Sequence, residues 1–274
     1  MVVGRLASAA LSALLLAAPL VHADAVYLVN TTADLIDDNT DDAVCHTSAN
    51  TCSLRAAIMQ ANHLLTGGST SIRLPAGTFA LTRPINGPNG EDNGDLNLTL
   101  PNTASEFIAI TGAGARNTII DGNQIDGVFT IEPTRSAGIA GVTVRNGRRQ
   151  GSGSGGGIKN RGSLVVLNCV VEDNSTLNGG GGIYNESLLN VIGSTIAANR
   201  ASLNGGGIYS SGTLLLSFST IRANLALDNF GQGGGLYLSG PSGVRNTTIS
   251  NNSANNGGGL LTVSDLTVVN STIA

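Results

Sequence analysis

Five times between residues 155 and 260 the sequence writes three consecutive glycines followed by an aliphatic residue. The copies are Gly155-Gly156-Gly157-Ile158, Gly180-Gly181-Gly182-Ile183, Gly205-Gly206-Gly207-Ile208, Gly233-Gly234-Gly235-Leu236 and Gly257-Gly258-Gly259-Leu260, and their first glycines lie 25, 25, 28 and 24 residues apart. A second motif keeps the same step: Ser194-Thr195-Ile196 with Asn199, Ser219-Thr220-Ile221 with Asn224, Thr247-Thr248-Ile249 with Asn252, and a last Ser271-Thr272-Ile273. Two independent motifs on one period define a solenoid, in which each repeat buries its apolar residues against its neighbours.

The period also selects the kind of solenoid. Between the glycine and asparagine motifs stands one short alternating stretch, such as Leu188 to Ile192, with no room for a helix. That excludes leucine-rich and helical repeats and predicts two or three short strands per coil. The expected fold is all-β: a right-handed parallel β-helix of about 25 residues per coil, each strand pairing in register with its counterpart one coil later. Equivalent residues then sit about 4.8 Å apart along the axis. Asn174, Asn199 and Asn224 should form a buried amide ladder, and Ile196, Ile221 and Ile249 an apolar one. With 38 Gly, no Trp and 3% aromatic residues, the core must come from small aliphatic side chains, which stack readily in such a coil.

The chain begins like an exported protein. Arg5 precedes an apolar run from Leu6 to Val21, and Val21-His22-Ala23 matches a small-residue cleavage site, so residues 1-23 read as a signal peptide. No later apolar stretch is long enough to span a membrane, so no transmembrane segment is expected in the mature chain. The net charge of -4 becomes -5 once Arg5 is removed, which argues against nucleic acid as a partner. In an oxidising compartment Cys45 and Cys52 should close a short disulfide loop, while Cys169, inside a strand-like run, should be a buried free thiol. From Leu54 to Leu65 apolar residues recur at spacings of three and four, an amphipathic helix with Ser53 as N-cap. Residues 24-70 are thus expected to cap the open edge of the first coil. Residues 71-274 are expected to be the β-helix, truncated at Ala274 inside a Ser-Thr-Ile motif.

The run Cys52-Ser53-Leu54-Arg55-Ala56-Ala57-Ile58 with Ala61-Asn62 resembles the CSLREA domain of secreted bacterial proteins. Ala33-Asp34 through Cys45, Ile72 to Phe79, Glu91 to Leu96, Ile110 to Gly114 and Thr118 to Asn123 extend the resemblance over roughly residues 26-146. The repeats that follow are similar to those of bacterial surface β-helices, including polymorphic outer-membrane proteins and adhesins. The resemblance implies a secreted or surface-displayed β-helix of the kind frequently joined to a C-terminal anchoring region. Two positions depart from the pattern: the family's Glu is Ala56, and the Arg common near Asp126 is replaced by Gly127.

Parallel β-helices often carry polysaccharide lyases and hydrolases, but a fold confers no activity without a site. Glycoside hydrolysis needs two carboxylates about 5 to 10 Å apart, meaning acids one or two coils apart at one position. Glu172 has Ala197 and Arg222 as its equivalents, Asp228 has Leu203 and Asn178, and every histidine precedes residue 64. The leading expectation is therefore a non-catalytic adhesion or surface role, with a host or cell-surface glycan or protein as partner. The alternative is a lyase-like enzyme on an acidic glycan, with Arg145, Arg148 and Arg149 near Glu132 and Asp173. The basic residues Arg145, Arg148, Arg149 and Lys159 are the expected ligand-binding set in either case. No cofactor is required, and calcium is the ion the acidic loops could hold, with Glu91, Asp92 and Asp95 as its ligands. The earlier loop Asp37-Asp38-Asn39-Thr40-Asp41-Asp42 reads as solvated.

Overall fold

The computed structural model describes residues 25–64, 68–85, 90–99 and 107–274; the expected signal peptide lies outside them. The chain winds as a parallel β-solenoid whose walls are four sheets of nine, eight, seven and four strands. The nine-stranded sheet runs from Ala25–Leu28 to Leu266–Val269, the eight-stranded from Gly77–Ala80 to Thr272–Ile273, and the seven-stranded from Leu96–Leu98 to Leu260–Thr262. The four-stranded sheet holds the two-residue strands Arg148–Arg149, Ser175–Thr176, Arg200–Ala201 and Leu225–Ala226. Ile158 pairs with Ile183, Ile183 with Ile208, Ile208 with Leu236 and Leu236 with Leu260, all in parallel. Towards the N-terminus the coils lengthen, with Ile110 over Ile139 and Ile72 over Ile110. Loops inserted between strands bring the average coil to about 27 residues, above the 25 of the glycine-marked repeats.

Period-two alternation sends alternate side chains into one continuous core. Phe129, Ile158, Ile183, Ile208 and Leu236 form one fully buried row, and Val144, Val171, Ile196, Ile221 and Ile249 another. The glycine triplet makes a tight corner. Its first glycine is left-handed in every copy, for example φ 71° at Gly180 and 67° at Gly205, a conformation costly to residues with a Cβ. A Cβ on the second, Gly181, would collide with the Gly206 carbonyl and the Arg200 backbone.

Corners are satisfied by ladders of side-chain hydrogen bonds. The Asn174 amide donates to Asn199 Oδ1 at 3.0 Å and to the Val144 carbonyl at 3.1 Å, and Asn199 repeats the pattern on Asn224 and Val171. The ladder continues to Asn252. A second ladder links Asn160, Asn185 and Ser210. A third is made of hydroxyls: the Cys169 amide donates to Ser194 Oγ at 3.0 Å, and that of Ser194 to Ser219 Oγ at 3.1 Å. Buried polar atoms that would otherwise cost free energy are paired one coil away.

The N-terminal segment is spliced into the solenoid, because Ala25–Leu28 is the first rung of the nine-stranded sheet. Cys45 and Cys52 are disulfide-bonded. Ser53 caps the helix Leu54–Asn62, accepting from the Ala56 amide at 3.0 Å and donating to the Leu35 carbonyl. The helix is not amphipathic in place: every residue except Met59 is buried. Its polar residues find internal partners instead of water. Gln60 donates to the Thr40 carbonyl and Asn62 to the Asn97 carbonyl. Arg55, 1% exposed, donates to both Asp34 oxygens and to the carbonyls of Glu91, Gly94 and Asp95. Among the described residues no helix is long and apolar enough to cross a membrane.

Candidate functional site

The residues that alternate outward on the seven-stranded sheet form a row of Thr130, Lys159, Tyr184, Tyr209, Tyr237 and Leu261. The tyrosine rings stack at centroid distances of 4.9 and 5.1 Å with interplanar angles of 14° and 12°. Parallel strand pairing imposes this, since the strand spacing and a comfortable ring separation nearly coincide. Rings stacked face to face along the axis turn edges and hydroxyls, rather than faces, towards solvent. Burial, the Glu186 carboxylate and the neighbouring Tyr209 hold the Tyr184 hydroxyl above its ordinary pKa.

Beside this row Arg161 bridges two coils, with Nη1 2.8 Å from Glu132 and Nε 3.5 Å from Glu186. On its other side, a Cβ on Gly179 would lie 3.1 Å from the Tyr209 ring, so that loop packs against the tyrosines. The corner loops before the glycine triplets expose Leu177, Leu203, Leu227 and Phe230, the last 83% exposed. Rigid tyrosines among small polar residues, with apolar side chains at the rim, are chemistry suited to contact.

The basic residues singled out from sequence do not form one patch. Arg145 pairs with Asp121 at 2.9 Å and stands in an outward row between Asp121 and Glu172. Arg148 is exposed and heads the row Ser175, Arg200 and Leu225. Arg149 is buried, 8% exposed, against the head of the outward row, bonded to Asp95, to Thr130 at 3.0 Å and to the Gly155 carbonyl at 3.2 Å, with Asp126 3.7 Å away. Gly127 makes the room, since a Cβ there would collide with the guanidinium. Burial opposes the Arg149 charge, but Asp95 and Asp126 outweigh it and raise its pKa; burial also lifts the Asp126 carboxyl, against the pull of Arg149. Lys159 alone of the four joins the tyrosine row.

The acidic trio disperses as well. Glu91 contacts His63 and Thr99, Asp92 accepts from Asn93 at 3.0 Å, and Asp95 serves Arg149 and Thr130. On two outward rows arginine stands between the carboxylates, at Asp121-Arg145-Glu172 and at Glu132-Arg161-Glu186.

Sequence reasoning missed the tyrosine row, although its signal is explicit: Tyr184, Tyr209 and Tyr237 each follow the aliphatic residue of a glycine triplet.

Fold and outer rows together define a parallel β-solenoid with extended, repetitive faces. Residues 168–186 match the Chlamydia polymorphic membrane protein repeat. That stretch runs from the left-handed corner at Asn168 through Asn174 and the glycine triplet to Tyr184, so it includes both the ladder and the tyrosine position. Comparison with curated proteins and with solved structures gives no match.

Proposed function

We propose that the protein is a secreted or surface-displayed β-solenoid that works by adhesion, using the tyrosine-bearing face of the seven-stranded sheet to contact a host or cell-surface glycan or protein. The observation that carries this reading is the match of residues 168–186 to a repeat of polymorphic membrane proteins. The leader-like residues 1-23 and the resemblance of residues 26-146 to the CSLREA domain support export, and the repeats support display. The contact face follows from chemistry: stacked rings lose little conformational entropy on binding, and hydroxyls spaced by one coil suit an extended partner.

The test has two parts. Intact producing cells should carry the protein where an externally added protease or antibody reaches it. The purified protein should bind cultured host cells or a glycan array, and a Tyr184→Ser/Tyr209→Ser/Tyr237→Ser variant should bind at least about tenfold more weakly, a loss of about 1.4 kcal/mol. Circular dichroism should show the same fold in both. Undiminished binding by the variant removes the tyrosine face from the proposal. Release of unsaturated or reducing ends from acidic polysaccharides, lost in an Arg148→Ala variant, replaces adhesion with catalysis.

A further inference from the structure

The strand Ala25–Leu28 is the outermost of the nine-stranded sheet and pairs on one side only, with Thr70–Arg73. In a parallel pair, alternate residues turn their main-chain groups towards the same neighbour. The amides of Ala25 and Val29 donate to the carbonyls of Ser69 and Arg73, so Val26, Leu28 and Asn30 present theirs to the opposite, outer side. There the cap supplies a partner at the far end: the Asn30 amide donates to the Cys52 carbonyl at 3.0 Å, and the Cys52 amide to Asn30 Oδ1 at 2.9 Å. The amides and carbonyls of Val26 and Leu28 have no such partner among the described residues.

Where the cap stops short, a cleft of about 450 Å³ opens between this edge and the disulfide loop. Val26, Leu28 and Asn30 line it from the strand, and Val44 and His46 from the loop. Val26, Leu28 and Val44 are 48, 62 and 52% exposed, so its mouth is aliphatic. The surroundings are acidic: from Leu35 to Leu54 the chain carries Asp37, Asp38, Asp41, Asp42 and His46 but no Lys or Arg. Their field reaches the cleft, since burial first and then Asp37 and Asp42 push the hydroxyl of Tyr27, another lining residue, up to about 12.

An open row of donors and acceptors beside a cleft is what takes up an added strand. We propose that the cleft binds an extended segment of a partner protein as a further strand outside Ala25–Leu28, with aliphatic side chains at alternate positions against Val26, Leu28 and Val44, and lysine or arginine beside the aspartate loop. A strand of the same four residues is about 13 Å long. A second copy of the chain fits less well, because pairing two such edges would set one aspartate loop against another, and like charges oppose that contact. The site belongs to a different sheet from the tyrosine row, so its occupation does not depend on adhesion through that row.

The test uses the purified full chain without a tag and an array of short peptides that alternate valine or leucine with threonine and end in lysine, in glutamate or in neither. Lysine-ended peptides should bind saturably, one per chain by calorimetry, and glutamate-ended ones at least about tenfold more weakly. Methylating alternate backbone nitrogens of the best binder, which removes the donors that face the edge, should weaken it by at least about tenfold as well. On the protein, Val26→Pro deletes an amide that has no internal partner and should cost the same factor, with circular dichroism unchanged because proline is tolerated on an edge strand. Should that variant fail to fold, Asp41→Asn/Asp42→Asn takes its place and should narrow the preference for lysine-ended over glutamate-ended peptides. The Tyr184→Ser/Tyr209→Ser/Tyr237→Ser variant should bind the peptides as the parent does, which separates this site from the adhesive face. No saturable binding of any lysine-ended peptide, equal binding of the methylated peptide, or unchanged binding by Val26→Pro overturns the proposal. A dimer of the parent chain that Val26→Pro dissociates overturns it in favour of a second copy at this edge.

Discussion

Phe218 sits at a corner where the chain turns left-handed, at φ 52°, and is 54% exposed. The same corner in other coils is made by Asn168, Gly193, Asn246 and Asn270, residues that enter this region at little cost. A bulky side chain there costs about 1 kcal/mol, so Phe218→Asn should stabilise the protein by about that amount, read as a raised urea midpoint at constant m-value. An unchanged or lower midpoint would mean the ring makes compensating contacts. Cys169 heads the hydroxyl ladder, and its Sγ lies against the carbonyls of Ile139 and Leu167. Burial pushes its thiol from 9.0 up to about 11. Because the folded pKa is above the unfolded one, the associated stability is complete below pH 9 and drains away as pH rises through about 11, by on the order of 2–3 kcal/mol. Cys169→Ser places in this coil the residue of the next two and should remove that alkaline loss. Superimposable stability–pH curves for the two proteins between pH 8 and 11 would contradict it.

At the scale of elements, the join between helix and solenoid centres on one guanidinium, with Asn62 bonded to the Asn97 carbonyl beside it. Arg55 holds Asp34 from the cap and three carbonyls of the loop Glu91–Asp95, while Asp34 also accepts from the amides of Thr82 and Arg83. Both partners are almost wholly buried. Arg55→Met would leave the Asp34 carboxylate enclosed without its cation and should destabilise by about 3–5 kcal/mol in denaturant unfolding. Arg55→Lys keeps the charge but loses the planar fork, so it should recover only part of this. A cost below about 1 kcal/mol for Arg55→Met would assign the cap's attachment to apolar packing instead. The cap helix itself was readable from the three-and-four spacing of its apolar residues. Its burial on every side was not, because apart from Asp34 the acceptors that Arg55 and Asn62 reach are main-chain carbonyls, which any residue supplies.

For the whole molecule, each coil touches only its neighbours, so stability should behave as a sum over coils and interfaces. Excising Gly180 to Asn204 joins Gly179 to Gly205 and places Ile208 over Ile158 and Asn224 over Asn174, the pairing each already makes with the removed coil. The shortened chain should fold with an unchanged β spectrum and a lower melting temperature. Excising one residue fewer, Gly181 to Asn204, shifts the corner against its neighbour and should lose cooperative unfolding, since a one-residue slip reverses the faces. Equal behaviour of the two deletions would show that register is not set by the glycine corners.

In the glycine-marked region, sequence spacing is spatial proximity: a residue one period on lies one strand away. The core rows, the amide ladder and the parallel register were therefore fixed by the order of residues alone, and the tyrosine row was equally available to that reasoning. Before residue 155 the loops between strands vary in length, and the correspondence between spacing and distance fails. Only the tertiary structure decided that Arg149 is buried against Asp95 while Arg148 faces water, and that His46 returns to Asp37. A charge in a sequence carries no direction, and the folded surroundings supply it.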